Sequence, residues 1–285
     1  METINELGKE YIPVKKLLQE ESILPTVTRS LCHMIRVMTW NVWSADHYVQ
    51  ERITHIIRYI RTMEPDIICL QEVTCATYNM IKSVLDTNYT SFQVFMENDI
   101  SCGTCLLCKK STININSQPY YYDFEKTEHM CRVIGCEITH VPSNSCFHVL
   151  TTQLESGVNN DHIRADQFEI INKVVKPLKY AILAGDLNIV VPTEDTEDKI
   201  NVSKFYDVWI DIGCPAKMRH TFSRKNINCN DRDSRSARPD RILYTSRNFF
   251  QIRAVHMIGC DCISESVQLP ASTHYGLLAD FTLDV

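Results

Sequence analysis

The chain has 285 residues, with 29 basic against 35 acidic side chains and a formal charge of −6. Its length suits one large domain or two small ones, and an apolar content of 44% with 22% charged residues excludes disorder along the whole chain. Only 8 glycines exclude collagenous and low-complexity architectures, and no apolar run approaches the ~18 residues needed to span a bilayer.

Residues 1–33 form an N-terminal extension of unknown role. METINELGKEYIPVKK carries charges where a signal peptide needs an apolar stretch, which points to an intracellular protein of nucleus or cytoplasm, not a secreted one. The stretch from Leu7 to Leu24 sets Ile12, Val14, Leu17 and Leu18 among mixed charges before Pro25. It reads either as a short helix docked on the body or as a mobile leader. From Ile35 to Trp43 the residues are β-branched and aromatic, as in a strand. Asp46 is a candidate N-cap for a helix whose buried face is Ile53, Ile56, Ile57 and Ile60, and Pro65 ends it. Asp66 to Glu72 follows as a strand buried on both faces. Shorter strands are expected at 103–109 and 131–139. The strand–helix–strand order then recurs: His148–Thr152, a helix from Ile163 to Leu178 with Phe168, Ile171, Val174, Val175 and Leu178 on one stripe, and Tyr180–Asp186. Mixed strands with helices outside them give an α/β class with two stacked sheets. Residues 34–285 show no linker and are read as one domain.

Polar groups close these strands: Asn41, Gln71-Glu72, Gly185-Asp186-Leu187-Asn188, Pro239-Asp240-Arg241 and Ser272-Thr273-His274. Any one of them alone is a cap or a turn. A carboxylate that closes an apolar strand is costly unless paired, capped or metal-bound, and here Asn, Glu, Asp-x-Asn, Asp and His follow in order at successive strand ends.

These residues resemble the endonuclease/exonuclease/phosphatase superfamily of metal-dependent phosphodiesterases, and within it the 5′-tyrosyl-DNA phosphodiesterases. The matching segments are TWNVW at 39–43, LQEV at 70–73, LES at 154–156, GDLN at 185–188 and DVW at 207–209. Gly213, Pro215 and Thr221-Phe222 follow, then PDRILY at 239–244 and HYGLLADF at 274–281. The resemblance implies a four-layer α/β/β/α sandwich over residues 34–285, here the catalytic domain. It implies that Glu72 holds Mg²⁺ (or Mn²⁺), and that Asn41 and Asn188 hold the scissile phosphate and position the attacking water. Asp186 is then the general base, and His274, oriented by Asp240, donates to a phosphate oxygen. Gln153, Ser156, Phe222 and Arg241 are the expected substrate contacts. Phosphoryl transfer asks for charge neutralisation and an in-line water more than for covalent chemistry.

Two positions depart from the family pattern. Thr273 stands where the family has a second metal-binding Asp, and Gln153 where it has a phosphate-contacting His. Loss of that carboxylate is expected to cost at least about 10–100-fold in metal affinity.

Residues 219–247 carry eight basic side chains (Arg219, Arg224, Lys225, Arg232, Arg235, Arg238, Arg241 and Arg247) against three acids, in an otherwise acidic chain. They read either as a solvated loop or as a groove wall for the phosphates of a single strand, with Phe222 as a stacking platform. Cys102, Cys105 and Cys108 have the C-x₂-C-x₂-C spacing of a zinc site, with His129, Cys131 and Cys136 following. In a strand, however, Cys105 points away from the other two, and such thiols commonly serve as small apolar groups. With no signal peptide, the 13 cysteines are read as reduced.

The expected activity is Mg²⁺-dependent hydrolysis of a phosphodiester link at single-stranded DNA 5′ ends that carry a tyrosyl or peptide adduct, with no membrane partner. Two alternatives stay open: a catalytically weakened relative that binds DNA ends or proteins, and the same chemistry on abasic DNA, RNA or a lipid phosphoester. The LES and DVW segments and the basic stretch argue against lipids.

Overall fold

The computed structural model describes Val14, Leu18 and residues 33–94, 102–125, 127, 132–157, 159–189, 202–223 and 236–284. In chain order its elements begin with β1 (Met34–Asn41), α1 (Val49–Met63), β2 (Ile67–Val73), α2 (Cys75–Leu85), β3 (Tyr89–Val94), β4 (Gly103–Lys109), β5 (Ile113–Ile115), β6 (Tyr120–Asp123), β7 (Arg132–His140) and β8 (Ser145–Gln153). They continue with α3 (Asp161–Val175), β9 (Ala181–Asp186), β10 (Tyr206–Asp207), α4 (Val208–Asp211), β11 (Phe222–Ser223), β12 (Ser236–Ala237), β13 (Asp240–Tyr244), β14 (Phe250–Ile258) and β15 (Gly276–Leu283).

The strands form a six-stranded sheet in the order β14-β15-β1-β2-β4-β3 and a seven-stranded sheet in the order β10-β13-β9-β8-β7-β5, with β6 also on β7. Alternation along each strand builds three separate cores. Val37, Cys69, Ala184 and Ile242 lie between the sheets. Met38, Trp40 and Leu70 face α1 and α2, while Leu183 and Leu243 face α3. Three cores require four layers, as the resemblance implies. Both strand–helix–strand units close as parallel pairs, β1 with β2 and β8 with β9, so the carboxyl ends of these strands meet at one edge of the sandwich. Gly185 makes room for that pairing: a Cβ there lies 2.0 Å from the Thr152 carbonyl oxygen.

Several sequence-based boundaries shift, most clearly at the two long helices. Helix α1 starts at Val49 rather than at Asp46; its N-cap, Tyr48, is left-handed (φ 48°) and offers no side-chain cap. The carbonyls of Ala45 and His47 are instead taken by the Arg52 side chain. Helix α3 stops at Val175, although Leu178 still packs against its core. In the extension, Val14 is buried in the α1/α2 core with Leu18 packed beside it. Cys105 and Cys108 face opposite sides of β4, in different cores. Among the described residues no Cys cluster has metal-binding geometry, and His129 and Cys131 lie outside them. Cys69, Cys108 and Cys136 are buried between the sheets, and burial pushes the Cys69 thiol up to about 12.

Arg36 of β1 ties this framework together. Its Nε and Nη2 donate to the two carboxylate oxygens of Asp280 in β15 at 2.7 and 2.8 Å, and Nη1 donates to the Met63 carbonyl at 2.7 Å. Both side chains are almost fully buried. Replacing Asp280 with Ala strands the guanidinium, and urea unfolding should register a loss of about 3–5 kcal/mol.

Candidate active site

The polar strand ends converge where the two sheets meet. Strict alternation turns Glu72 toward α1 with Ile68 and Leu70. The β2–β4 register slips between Leu70 and Val73, however, and Glu72 takes a left-handed backbone (φ 55°). The carboxylate thereby swings to the inner side. Glu72 Oε1 accepts from Asn41 Nδ2 at 2.8 Å and from Gln153 Nε2 at 3.3 Å. Oε2 accepts from the Ser44 amide at 3.0 Å and from its hydroxyl at 3.1 Å. Burial works against the ionised form, yet these bonds hold the Glu72 carboxyl below its ordinary range.

Asn41 Nδ2 also donates to Asp186 Oδ2 at 2.9 Å, so one amide nitrogen spans a carboxylate from each sheet. Asp186 Oδ1 accepts the Asn188 amide at 2.9 Å, and Asn188, itself left-handed (φ 49°), donates its side chain to the Leu154 carbonyl at 2.9 Å. Burial lifts the Asp186 carboxyl to about 6, with the His274 charge pulling it down and the Asp240 charge pushing it up.

His274 completes the cluster. Its Nδ1 is 2.9 Å from Asp240 Oδ2, which also accepts the Thr221 hydroxyl at 2.6 Å. Its Nε2 lies 4.0 Å from Asp186 Oδ2. Burial disfavours the imidazolium, but the charges of Asp240 and Asp186 outweigh it and raise His274 to about 9. The Phe222 ring centre sits 4.9 Å from the imidazole, and the two backbones form a β-bridge. Thr273 is half-buried next to His274.

Ligand atoms of Glu72, Asp186 and His274 lie within 4.8 Å of one another. Two carboxylates held this close in a buried setting are unfavourable without positive charge. The oxygen-rich set suits a hard cation such as Mg²⁺, which takes one or two carboxylates and completes its shell with water and phosphate oxygens.

A model of the Endonuclease/Exonuclease/phosphatase family matches residues 38–271, a span that holds Asn41, Glu72, Asp186 and Asp240 and ends just before His274. The chain belongs to that family. It is 27% identical over 257 residues to tyrosyl-DNA phosphodiesterase 2 of Xenopus tropicalis, covering 86% of this chain and 65% of that protein. It is 25% identical over 258 residues to the Homo sapiens tyrosyl-DNA phosphodiesterase 2, covering 88% and 68% respectively. The chain thus spans about two-thirds of these relatives' length. Among solved structures, D. rerio TDP2 complexed with a single-strand DNA product superposes with a TM-score of 0.77 at 22% identity, covering 87% of this chain and 98% of that one.

Within this family fold, the structure brings Asn41, Glu72, Gln153, Asp186, Asn188, Phe222, Asp240 and His274 together. Both amide hydrogens of Asn41 go to carboxylates, and Gln153 donates to Glu72. Ser156 lies beyond β8, where its carbonyl accepts from Asn160 Nδ2 at 2.7 Å. Arg241 is a correction. It follows Asp240 in β13, so alternation turns it to the opposite face, where it is buried against Asp207 at 3.0 Å. The basic stretch is corrected in part: Arg238 also pairs with Asp207 in the interior, while Arg247 pairs with Asp211 and stays exposed. Arg224, Lys225, Arg232 and Arg235 lie outside the described residues.

Three site residues escape the sequence reading: Ser44, Thr221 as the partner of Asp240, and Arg52. The first two carry no spacing signal. Arg52 does carry one, since it sits one turn before Ile56 on the apolar stripe of α1, where a cation needs a reason.

Removing the Asp240 charge should return His274 toward the ordinary imidazole range. In metal-free protein, an NMR titration is expected to show His274 charged up to about 9 and losing its proton above that. In Asp240→Asn the transition should move to lower pH.

Proposed function

We propose that the chain is a Mg²⁺-dependent phosphodiesterase that hydrolyses the 5′-phosphotyrosyl link at single-stranded DNA ends, with residues 34–285 as its catalytic domain and 1–33 as an accessory extension. The observation that carries this reading is the convergence of Glu72, Asp186 and the Asp240-held His274 within one family fold. The names of the relatives support this choice of substrate.

Glu72 would hold the cation, with Asp186 beside it. Bound there, Mg²⁺ (or Mn²⁺) neutralises phosphate charge and polarises the P–O bond. Asp186, lifted by burial toward neutral pH, takes the proton of the attacking water. Asn188 steadies that water beside the phosphate, and Asn41 keeps the two carboxylates in register. His274, held protonated, donates from Nε2 to a non-bridging oxygen as charge builds in the transition state. A tyrosine phenolate, with an ordinary pKa of about 10, leaves as a weaker base than a sugar alkoxide. Charge neutralisation therefore matters more than a strong general acid. Phe222, half-buried against His274, offers its free edge to a base of the strand.

Thr273 and Gln153 favour a second reading, a weakened relative that binds DNA ends or a protein without turnover. Incubation with a 5′-phosphotyrosyl oligonucleotide and Mg²⁺ separates the two. Release of free tyrosine with a 5′-phosphate is expected, abolished in Glu72→Ala; no product at high enzyme, even in Thr273→Asp, rejects hydrolysis.

Asp186→Asn and His274→Ala should each lower the rate more than about 10²-fold. Steady-state kinetics check this, and near-unmutated rates place the chemistry elsewhere. Thr273→Asp should tighten Mg²⁺ about 10-fold or more by adding an oxygen ligand, read as a shift of the half-saturating Mg²⁺ concentration.

A further inference from the structure

Arg52 is the most heavily engaged cation in the vicinity of the site, yet it touches none of the reacting groups. It lies on the buried face of α1 and is 2% exposed. Its hydrogen bonds go to five backbone carbonyls: His47 at 2.7 Å, Val42 at 2.8 Å, Trp43 at 3.0 Å, Ala45 at 2.5 Å and Ala271 at 3.2 Å. The Trp43 ring covers the guanidinium at 4.7 Å. Four of those carbonyls belong to the loop that leaves β1, and the fifth belongs to the loop that enters β15. The first loop presents Ser44, whose amide and hydroxyl both grip Glu72 Oε2. The second presents Ser272, whose hydroxyl donates to the Asn41 carbonyl at 2.6 Å and accepts the His274 amide at 3.1 Å.

A guanidinium buried among carbonyls, with no carboxylate at hydrogen-bond distance among the described residues, is a costly way to fill an apolar helix face. Burial lowers Arg52 only to about 10, against the pull of Glu72, Asp46 and Glu51, so it stays charged at neutral pH. Its planar fork has enough donors to collect carbonyls that point inward from two directions, which a lysine ammonium cannot match. Trp43, left-handed at φ 58°, donates its amide to Asn41 Oδ1 at 2.9 Å and closes the clamp from above.

We propose that Arg52 is a positioning residue for the metal site, fixing the loop whose Ser44 orients Glu72 and strapping it to the loop that carries His274. This rests on reading Glu72 as the metal-holding carboxylate. Arg52 acts through Ser44, so removing both should cost no more than removing the more damaging one.

The test uses the full chain without substrate and reads Mn²⁺ affinity from the EPR signal of free Mn²⁺. Arg52→Lys, Arg52→Gln, Ser44→Ala and the Arg52→Lys/Ser44→Ala double variant are compared, with melting of the metal-free protein alongside. Each single variant is expected to weaken Mn²⁺ binding about 10-fold or more, with the double variant no weaker than its weaker parent. Unchanged affinity in a folded Arg52 variant or in Ser44→Ala overturns the proposal, as do losses that multiply in the double. Failure of both Arg52 variants to fold also overturns it, in favour of a purely structural role. If the unmutated chain itself binds no Mn²⁺, the reading of the site fails first; if it binds and the variants match it, only the role of Arg52 fails.

Discussion

A carboxamide nitrogen has two hydrogens, and at Asn41 both are committed to carboxylates that come from different sheets. The pairing sets how far apart Glu72 and Asp186 stand, and it does so at the place where the inner faces of the sandwich open to solvent. It works because β1 and β2 run parallel, as do β8 and β9, so the strands finish at the same edge. Below it, Gln71 donates to Thr39 and Thr151 at 3.2 and 3.3 Å, a small polar layer that joins the two sheets before the apolar core begins. The charges above therefore rest on a floor of neutral hydrogen bonds, whose geometry is fixed by three strands rather than by loops.

The architecture was largely legible in the chain because both parallel units announce themselves by period. Ile53, Ile56, Ile57 and Ile60 mark one helix and Phe168, Ile171 and Val175 the other, each between apolar runs too short for anything but buried strands. Glu72 and Asp186 were visible as carboxylates closing such runs. What the pattern hides is direction. Alternation alone sends Glu72 toward the helices, and only a left-handed residue together with a register slip reverses it. Alternation also contradicts the expectation for Arg241, whose neighbour Asp240 faces the site while it faces Asp207. Charge counting over 219–247 overstates the exposed charge for the same reason, since Arg238 and Arg241 are buried against Asp207.

Resemblance and geometry contribute different things here. Identities of 25–27% to tyrosyl-DNA phosphodiesterases cover most of this chain and carry the order of the motifs. The structure adds how the departures are absorbed. Gln153 uses its amide to brace Glu72, a role that needs no charge. Thr273, half-buried next to His274, adds no carboxylate to the group formed by Glu72, Asp186 and the raised His274.

The thiols shut between the sheets give the molecule a built-in reporter. Cys69, Cys108 and Cys136 are fully enclosed, with the Cys69 and Cys108 thiols pushed up by burial, whereas Cys75, Cys146, Cys214 and Cys262 face solvent. An alkylating reagent at neutral pH therefore labels the outer group at once and reaches the inner one only when the sandwich parts. Slow labelling read at Cys69, Cys108 and Cys136 measures how often the two sheets separate, at the very seam whose upper rim carries the acidic and amide groups, while Cys105 reports on the helix-facing core.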